Sequence, residues 1–336
     1  MQPSLRQLFS LIDNANMEYK NTPVIVILMY VISKTRKYTY ISFVSIFLLV
    51  FTSLFPIILY QKKEIFKNRF YILVSLFLLT WINYLNTISG FRFYIGISLF
   101  LIIFYLEFFF KFKSRIFIWF YILPILVHPG LFLIVLPRLI VSLNFKINKR
   151  NIILGLLSLP TITIFSKFFL KIINNYYLQL ILNRVLDYTG NGNLDFVTPK
   201  LNYVRLILGS IYTIFILISL FQDVKTSQGL KLKLTYGSTY IQTLFFFSLI
   251  TISSIPFVNL FNRNISILVP FSGLYLLNVF ETKNWKYQLS FFFILLTMIF
   301  FSLINNINVL SATFDIDFYK LLTNNIIQLK NLVPKR

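Results

Sequence analysis

A polytopic α-helical membrane protein is the fold class that the sequence predicts, and three observations predict it. Of the 336 residues, 57% are hydrophobic and 12% are charged, about half the roughly 25% charge of a soluble domain. Apolar runs near the ~20 residues that a helix needs to cross the hydrocarbon recur along the chain. Within them the apolar residues are continuous rather than alternating, which argues against a membrane β-barrel.

Taken in order, Met1–Thr22 is polar and lacks the apolar centre of a cleavable signal peptide. Pro23–Ser33 is apolar but short, and suits a re-entrant, interfacial or short spanning helix. Residues 1–38 therefore read as an outer-face N-terminal segment with an amphipathic helix. A transmembrane bundle is expected over 39–304, with spans at 39–60, 70–88, 92–110, 116–128, 130–145, 151–172, 203–222, 239–258, 264–280 and 286–304. Pro129-Gly130 suits either a tight turn between two antiparallel helices or a bend within one. Residues 305–336 read as a polar C-terminal tail.

The net charge is +22, yet the lysines and arginines fall mainly in short loops between apolar runs. There they set topology and meet lipid headgroups, so nucleic acid is not an expected partner. If 61–69 is cytoplasmic, alternation places 111–115, 146–150, 223–238 and 281–286 on the same side, and these loops hold 15 of the 32 lysines and arginines. The outer junctions and loops then hold Arg92, Arg184, Lys200 and Arg263, with Lys167, Lys171 and Arg205 inside spans toward that face. Topology selection works against outer cations, so these need another reason. The Lys34–Lys37 cluster is the exception to the scheme.

Within the outer loop 173–202, Leu178, Ile181, Leu182, Val185 and Leu186 form a helical apolar stripe. Gln179, Asn183, Arg184, Asp187 and Tyr188 lie mostly opposite, so an amphipathic surface helix is expected, ended by Thr189–Asn193.

Arg92 opens a span, and two readings stand: a bidentate anion ligand, or a side chain reaching the headgroups from a helix end. The same two apply to Arg263. His128, the one histidine, is either a general base or hydrogen-bond donor to substrate, or a helix-end residue bonded to backbone. Asp187 is a second candidate base, or else a local partner of Arg184, worth only a few tenths of a kcal/mol. Tyr188 is a candidate sugar-stacking platform. Glu107 reads as a local pair with Lys111, and Arg138 as a snorkelling side chain. Asp315-Ile316-Asp317 looks like a nucleotide-sugar metal pair, but it lacks the soluble α/β domain such a site needs. With no cysteine and one histidine, thiolate and multi-histidine metal sites are excluded. Phosphate-binding glycine loops, serine elbows and HExxH patterns are absent.

Taken together, these residues resemble the EpsG family of exopolysaccharide proteins, grouped with Wzy-type repeat-unit polymerases. The best-matching stretch is Phe70–Val141: an apolar helix, a short polar turn, an arginine opening the next helix, a basic loop, then a helix ending in histidine. In this chain Phe93 stands where the family usually has Gln, and Pro129 follows the histidine where Ser is usual. A second match is Phe261–Gly273, with Arg263 as the late arginine; Arg184–Tyr188 resembles the outer-loop helix. Family members often carry a transmembrane helix before the segment that corresponds to Asn16–Ser33 here. The resemblance implies a GT-C-like polymerase of about ten transmembrane helices in the bacterial cytoplasmic membrane. Its implied substrate is an undecaprenyl-pyrophosphate-linked oligosaccharide, and its neighbours are membrane lipids, a flippase and a chain-length regulator. It implies no cofactor and no metal. Arg92 and Arg263 would hold pyrophosphate, with Arg184 auxiliary and Tyr188 on the sugar; His128, then Asp187, would be the base. The alternatives are a lipid-linked glycan flippase, an accessory export subunit and an O-antigen-type ligase.

Overall fold

In the computed structural model the described residues are 39–64, 70–82, 91–109, 115–143, 199–225 and 237–314, with isolated positions between 153 and 186. Among them there is no strand. The helices are α1 (Thr39–Glu64), α2 (Tyr71–Trp81), α3 (Phe91–Phe109), α4 (Ile122–Val127), α5 (Phe132–Ser142), α6 (Pro199–Lys225), α7 (Gly237–Ser253), α8 (Val258–Thr282) and α9 (Trp285–Phe314). Three stretches, Tyr203–Asp223, Val258–Glu281 and Trp285–Asn308, are long and apolar enough to cross a membrane. Large apolar side chains such as Phe47, Ile164 and Phe300 are exposed on the outside of the bundle, as a lipid solvent permits.

Helix α8 is the central post. Its spanning stretch is 89% buried inside the protein, against 33% for α6 and 22% for α9. Gly209 of α6 meets Phe261 and Ile265 of α8, and Gly273 of α8 meets Leu78 of α2, each as close as 3.0 Å from where a Cβ would sit. Small residues let helices approach where lipid supplies no hydrophobic drive between them. Rings from three helices close the middle: Phe104 and Phe271 are 4.7 Å apart edge to face, and Phe100 and Tyr240 each stand 5.6 Å from Phe271. Buried hydroxyls bond back within their own helices, as Ser98 does to the Tyr94 carbonyl (3.0 Å) and Thr213 to that of Gly209 (2.7 Å). They cost little in an apolar medium because they are satisfied locally.

The two ends of the bundle differ. At one, Glu107 of α3 pairs with Arg138 of α5 and accepts a bond from the Tyr121 hydroxyl at 2.5 Å. There too Asp223 of α6 pairs with Lys283 and accepts from Tyr275, and Gln222 donates to the Tyr287 hydroxyl. Among the residues whose side chains are described, the three carboxylates, Glu107, Asp223 and Glu281, stand at this end. The snorkelling expected of Arg138 is therefore corrected, while Lys111, the partner expected for Glu107, lies outside the described residues. Arg138 is buried, and a buried guanidinium needs a charged partner.

The Pro129-Gly130 alternative resolves as a hairpin. A 3-10 segment, Arg115–Tyr121, leads into α4, and another, Pro129–Leu131, leads into α5. Glu107 touches Tyr121 on the first limb and Arg138 on the second, so the chain goes out and returns. The break falls at His128 (φ −150, ψ 111), because the residue before a proline is forced out of the helical region. Gly96 of α3 admits the hairpin closely: a Cβ there would collide with Leu131 Cδ1 and lie 3.5 Å from the Pro124 carbonyl.

Two expected boundaries move. The segment 259–264, expected as a junction, is helical; the turn is at 254–257. Asn264 folds inward, its Nδ2 donating to Ser254 Oγ at 3.1 Å. The expected tail begins later than 305, since α9 continues to Phe314. Asn306 donates to the carbonyls of Thr80 (3.0 Å) and Ile82 (3.2 Å), which satisfies acceptors that the end of α2 leaves open. The segments 1–38 and 315–336 lie outside the described residues.

Candidate functional site

Helices α3, α6 and α8 all begin at the end opposite the ion pairs, and each carries an arginine in its first two turns: Arg92, Arg205 and Arg263. A cation near a helix N-terminus opposes the macrodipole, so local helix stability does not explain three of them. Together with the helix ends they make a positive region that suits an anion.

Arg92, His128 and Arg263 converge. The guanidinium carbon of Arg263 lies 5.6 Å from the centre of the Phe93 ring, and that ring meets the His128 imidazole edge to face at 5.3 Å. Both Arg263 and Arg92 act electrostatically on His128. Arg263 is exposed, while Arg92 and His128 are half-buried. Phe93, which stands where the resembled family has Gln, is thus the platform between a cation and the imidazole.

His128 stands in the break between two helices, in neither of them. The Gly130 amide donates to its Nδ1 at 3.2 Å, so the neutral ring carries its proton on Nε2 and presents a donor. Burial first, then Arg263 and Arg92, lower its pKa from the ordinary 6.5 to about 4. A lowered pKa keeps the ring neutral as pH falls through 6.5, and protonation waits until near 4. With one histidine in the chain, ¹⁵N-histidine labelling reports a single imidazole. The expected spectrum is the neutral Nε2–H tautomer at both pH 7.5 and pH 5.5; a midpoint near 6.5 contradicts the burial described.

Arg205 adds a cation that was read from the sequence only as a charge inside a span. Its guanidinium stacks 5.0 Å from the centre of the Trp81 ring and donates to Ser266 Oγ at 3.0 Å. Ser266 in turn donates to the Asn262 carbonyl at 2.7 Å. Tyr94, buried next to Phe93, lies within the electrostatic reach of both Arg205 and Arg263. The four cationic or titratable groups are therefore neighbours in series around Phe93 and Tyr94. The sequence signal for Arg205 was present, since a charge inside an apolar span marks a functional position by default. Trp81 had none.

Arg184, Asp187 and Tyr188 lie outside the described residues. Among the described residues no three His, Cys, Asp or Glu side chains group as a metal site. No family model, curated protein or solved structure matches the chain.

Proposed function

We propose that this protein joins oligosaccharide repeats carried on undecaprenyl pyrophosphate, at the membrane face where Arg92, His128 and Arg263 stand. The observation that carries the reading is the meeting of Arg263 and His128 on Phe93, with Arg92 acting electrostatically on the same imidazole. The positive-inside distribution of the loops supports an outer location for that face, and the resemblance to EpsG and Wzy-type polymerases supplies the reaction.

In the proposed step a terminal sugar hydroxyl attacks the anomeric carbon of a second repeat. The bond from that carbon to the pyrophosphate oxygen breaks, and lipid pyrophosphate departs with the electron pair. Arg92 and Arg263 hold the pyrophosphate and offset the charge that grows on it, which arginine does without a metal. His128 contributes Nε2–H to a substrate oxygen; acting as the base would require the other tautomer and forfeit the Gly130 bond. The hydroxyl proton then passes to a carboxylate, for which Asp187 is the candidate, with Arg184 and Tyr188 on the same loop.

The reading is tested with purified protein in vesicles loaded with one lipid-linked repeat. Formation of a ladder of longer lipid-linked glycans is the expected result. Translocation without bond formation would establish the flippase alternative instead. The aromatic closure at mid-bundle by Phe100, Phe104, Tyr240 and Phe271 supports a one-sided site over a through-path.

A further inference from the structure

We infer that Arg205 and Trp81 form a second phosphate subsite, separate from the Arg92–Arg263 pole, so that the two poles together select a lipid-borne diphosphate over a monophosphate. This inference rests on the reading of this end of the bundle as a diphosphate site.

Three observations carry it. First, Arg205 is a half-buried cation with a buried Nε, and among the described residues its contacts are one hydroxyl and one ring, with no carboxylate. A structural buried arginine is normally ion-paired, as Arg138 is in this same chain. Second, two buried donors at this place, Arg205 Nε and Trp81 Nε1, have no acceptor among the described residues. Buried N–H groups are rarely left so, because an unmet donor keeps the full cost of its desolvation. The guanidinium lies over the indole, so an anionic oxygen at their shared margin would accept from both. Third, Arg205 stacks on Trp81 and bonds Ser266, whereas Arg263 stands over Phe93, which packs on Tyr94, so the two poles rest on different rings while both act electrostatically on Tyr94. Arg205, about 9 Å along α6 from its start, is half-buried, whereas Arg263 is exposed. The exposed pole is open to either phosphate, and the inner one adds contacts that only a second phosphate reaches. Donors to a charged group contribute more than neutral ones, enough for about tenfold each.

The test uses the full chain in phosphatidylcholine nanodiscs, with farnesyl diphosphate, farnesyl monophosphate and inorganic pyrophosphate as probes in calorimetry. The unsubstituted protein is expected to bind farnesyl diphosphate at least about tenfold more tightly than the monophosphate. Arg205→Gln and, independently, Trp81→Phe should erase most of that preference while monophosphate affinity stays within about threefold. Trp119 and Trp285 are exposed; with both changed to Phe, Trp81 emission should respond to the diphosphate and not to the monophosphate. Trp81→Phe keeps the ring beneath Arg205 and removes only the N–H, so it serves if Arg205→Gln fails to fold. Retention of the preference in both variants overturns the subsite and leaves the polymerase reading standing. Equal weakening of both lipid probes also overturns it, because a merely structural role does that. Pyrophosphate binding as tightly as farnesyl diphosphate overturns the lipid-borne part. Failure of farnesyl diphosphate to bind the unsubstituted protein overturns the reading of this end as a diphosphate site.

Discussion

Arg263→Ala is expected to leave the protein folded in the membrane and to cut polymer formation by about 10²–10³-fold, the range seen when one preorganised donor to a developing charge is lost. Unpolymerised lipid-linked repeats should accumulate. Arg92→Ala should do the same. The cost to folding should be small, since Arg263 is exposed and Arg92 sits in the first turn of α3, where a cation opposes the helix dipole. The loss should therefore appear in catalysis with little change in melting. Lysine at either position keeps the charge but not the fork of donors, so an intermediate rate is expected. The readouts are the glycan ladder in reconstituted vesicles and a thermal melt of each variant in detergent. Polymer of normal length and yield from both alanine variants would remove these arginines from the proposed site.

Much of this end of the molecule was legible in the sequence, and the reason is membrane topology. Alternation of spans places Arg92, the His128 turn and Arg263 on one side without any knowledge of packing. The pre-proline position of His128 likewise announces a break. Contacts between distant side chains were not legible. Arg205 and Trp81 are joined only by the packing of α6 against α2, and no spacing rule links positions so far apart. The start of α8 was misplaced because Asn259, Asn262, Arg263 and Asn264 look like a loop; burial of Asn264 against Ser254 lets that polar run be helical. The role of Phe93 was inverted too. A ring where the resembled family has an amide reads as the loss of a polar contact, whereas this ring underlies Arg263 and packs edge to face with His128.

Glu107 separates a local reading from a tertiary one by magnitude. As an i, i+4 partner of Lys111 it would contribute about 0.2–0.5 kcal/mol, and Glu107→Ala would scarcely move a melt. In the structure its side chain is 12% exposed and that of Arg138 10% exposed, and it also accepts from Tyr121. Its removal leaves a guanidinium buried without a counter-charge, a loss of about 3–5 kcal/mol. Replacing both partners, Glu107→Leu with Arg138→Leu, should recover most of that loss, since two desolvated charges are then exchanged for apolar packing. The pair also ties both limbs of the hairpin to α3, and His128 is the apex of that hairpin. Glu107→Ala should therefore loosen the placement of His128 beside Phe93, visible as broadening of the single ¹⁵N-histidine signal, while the double variant restores a sharp one. An unchanged melt for Glu107→Ala would return Glu107 to a surface pair. A double variant as unstable as the single would mean that Tyr121, rather than Arg138, is the partner that needs the carboxylate.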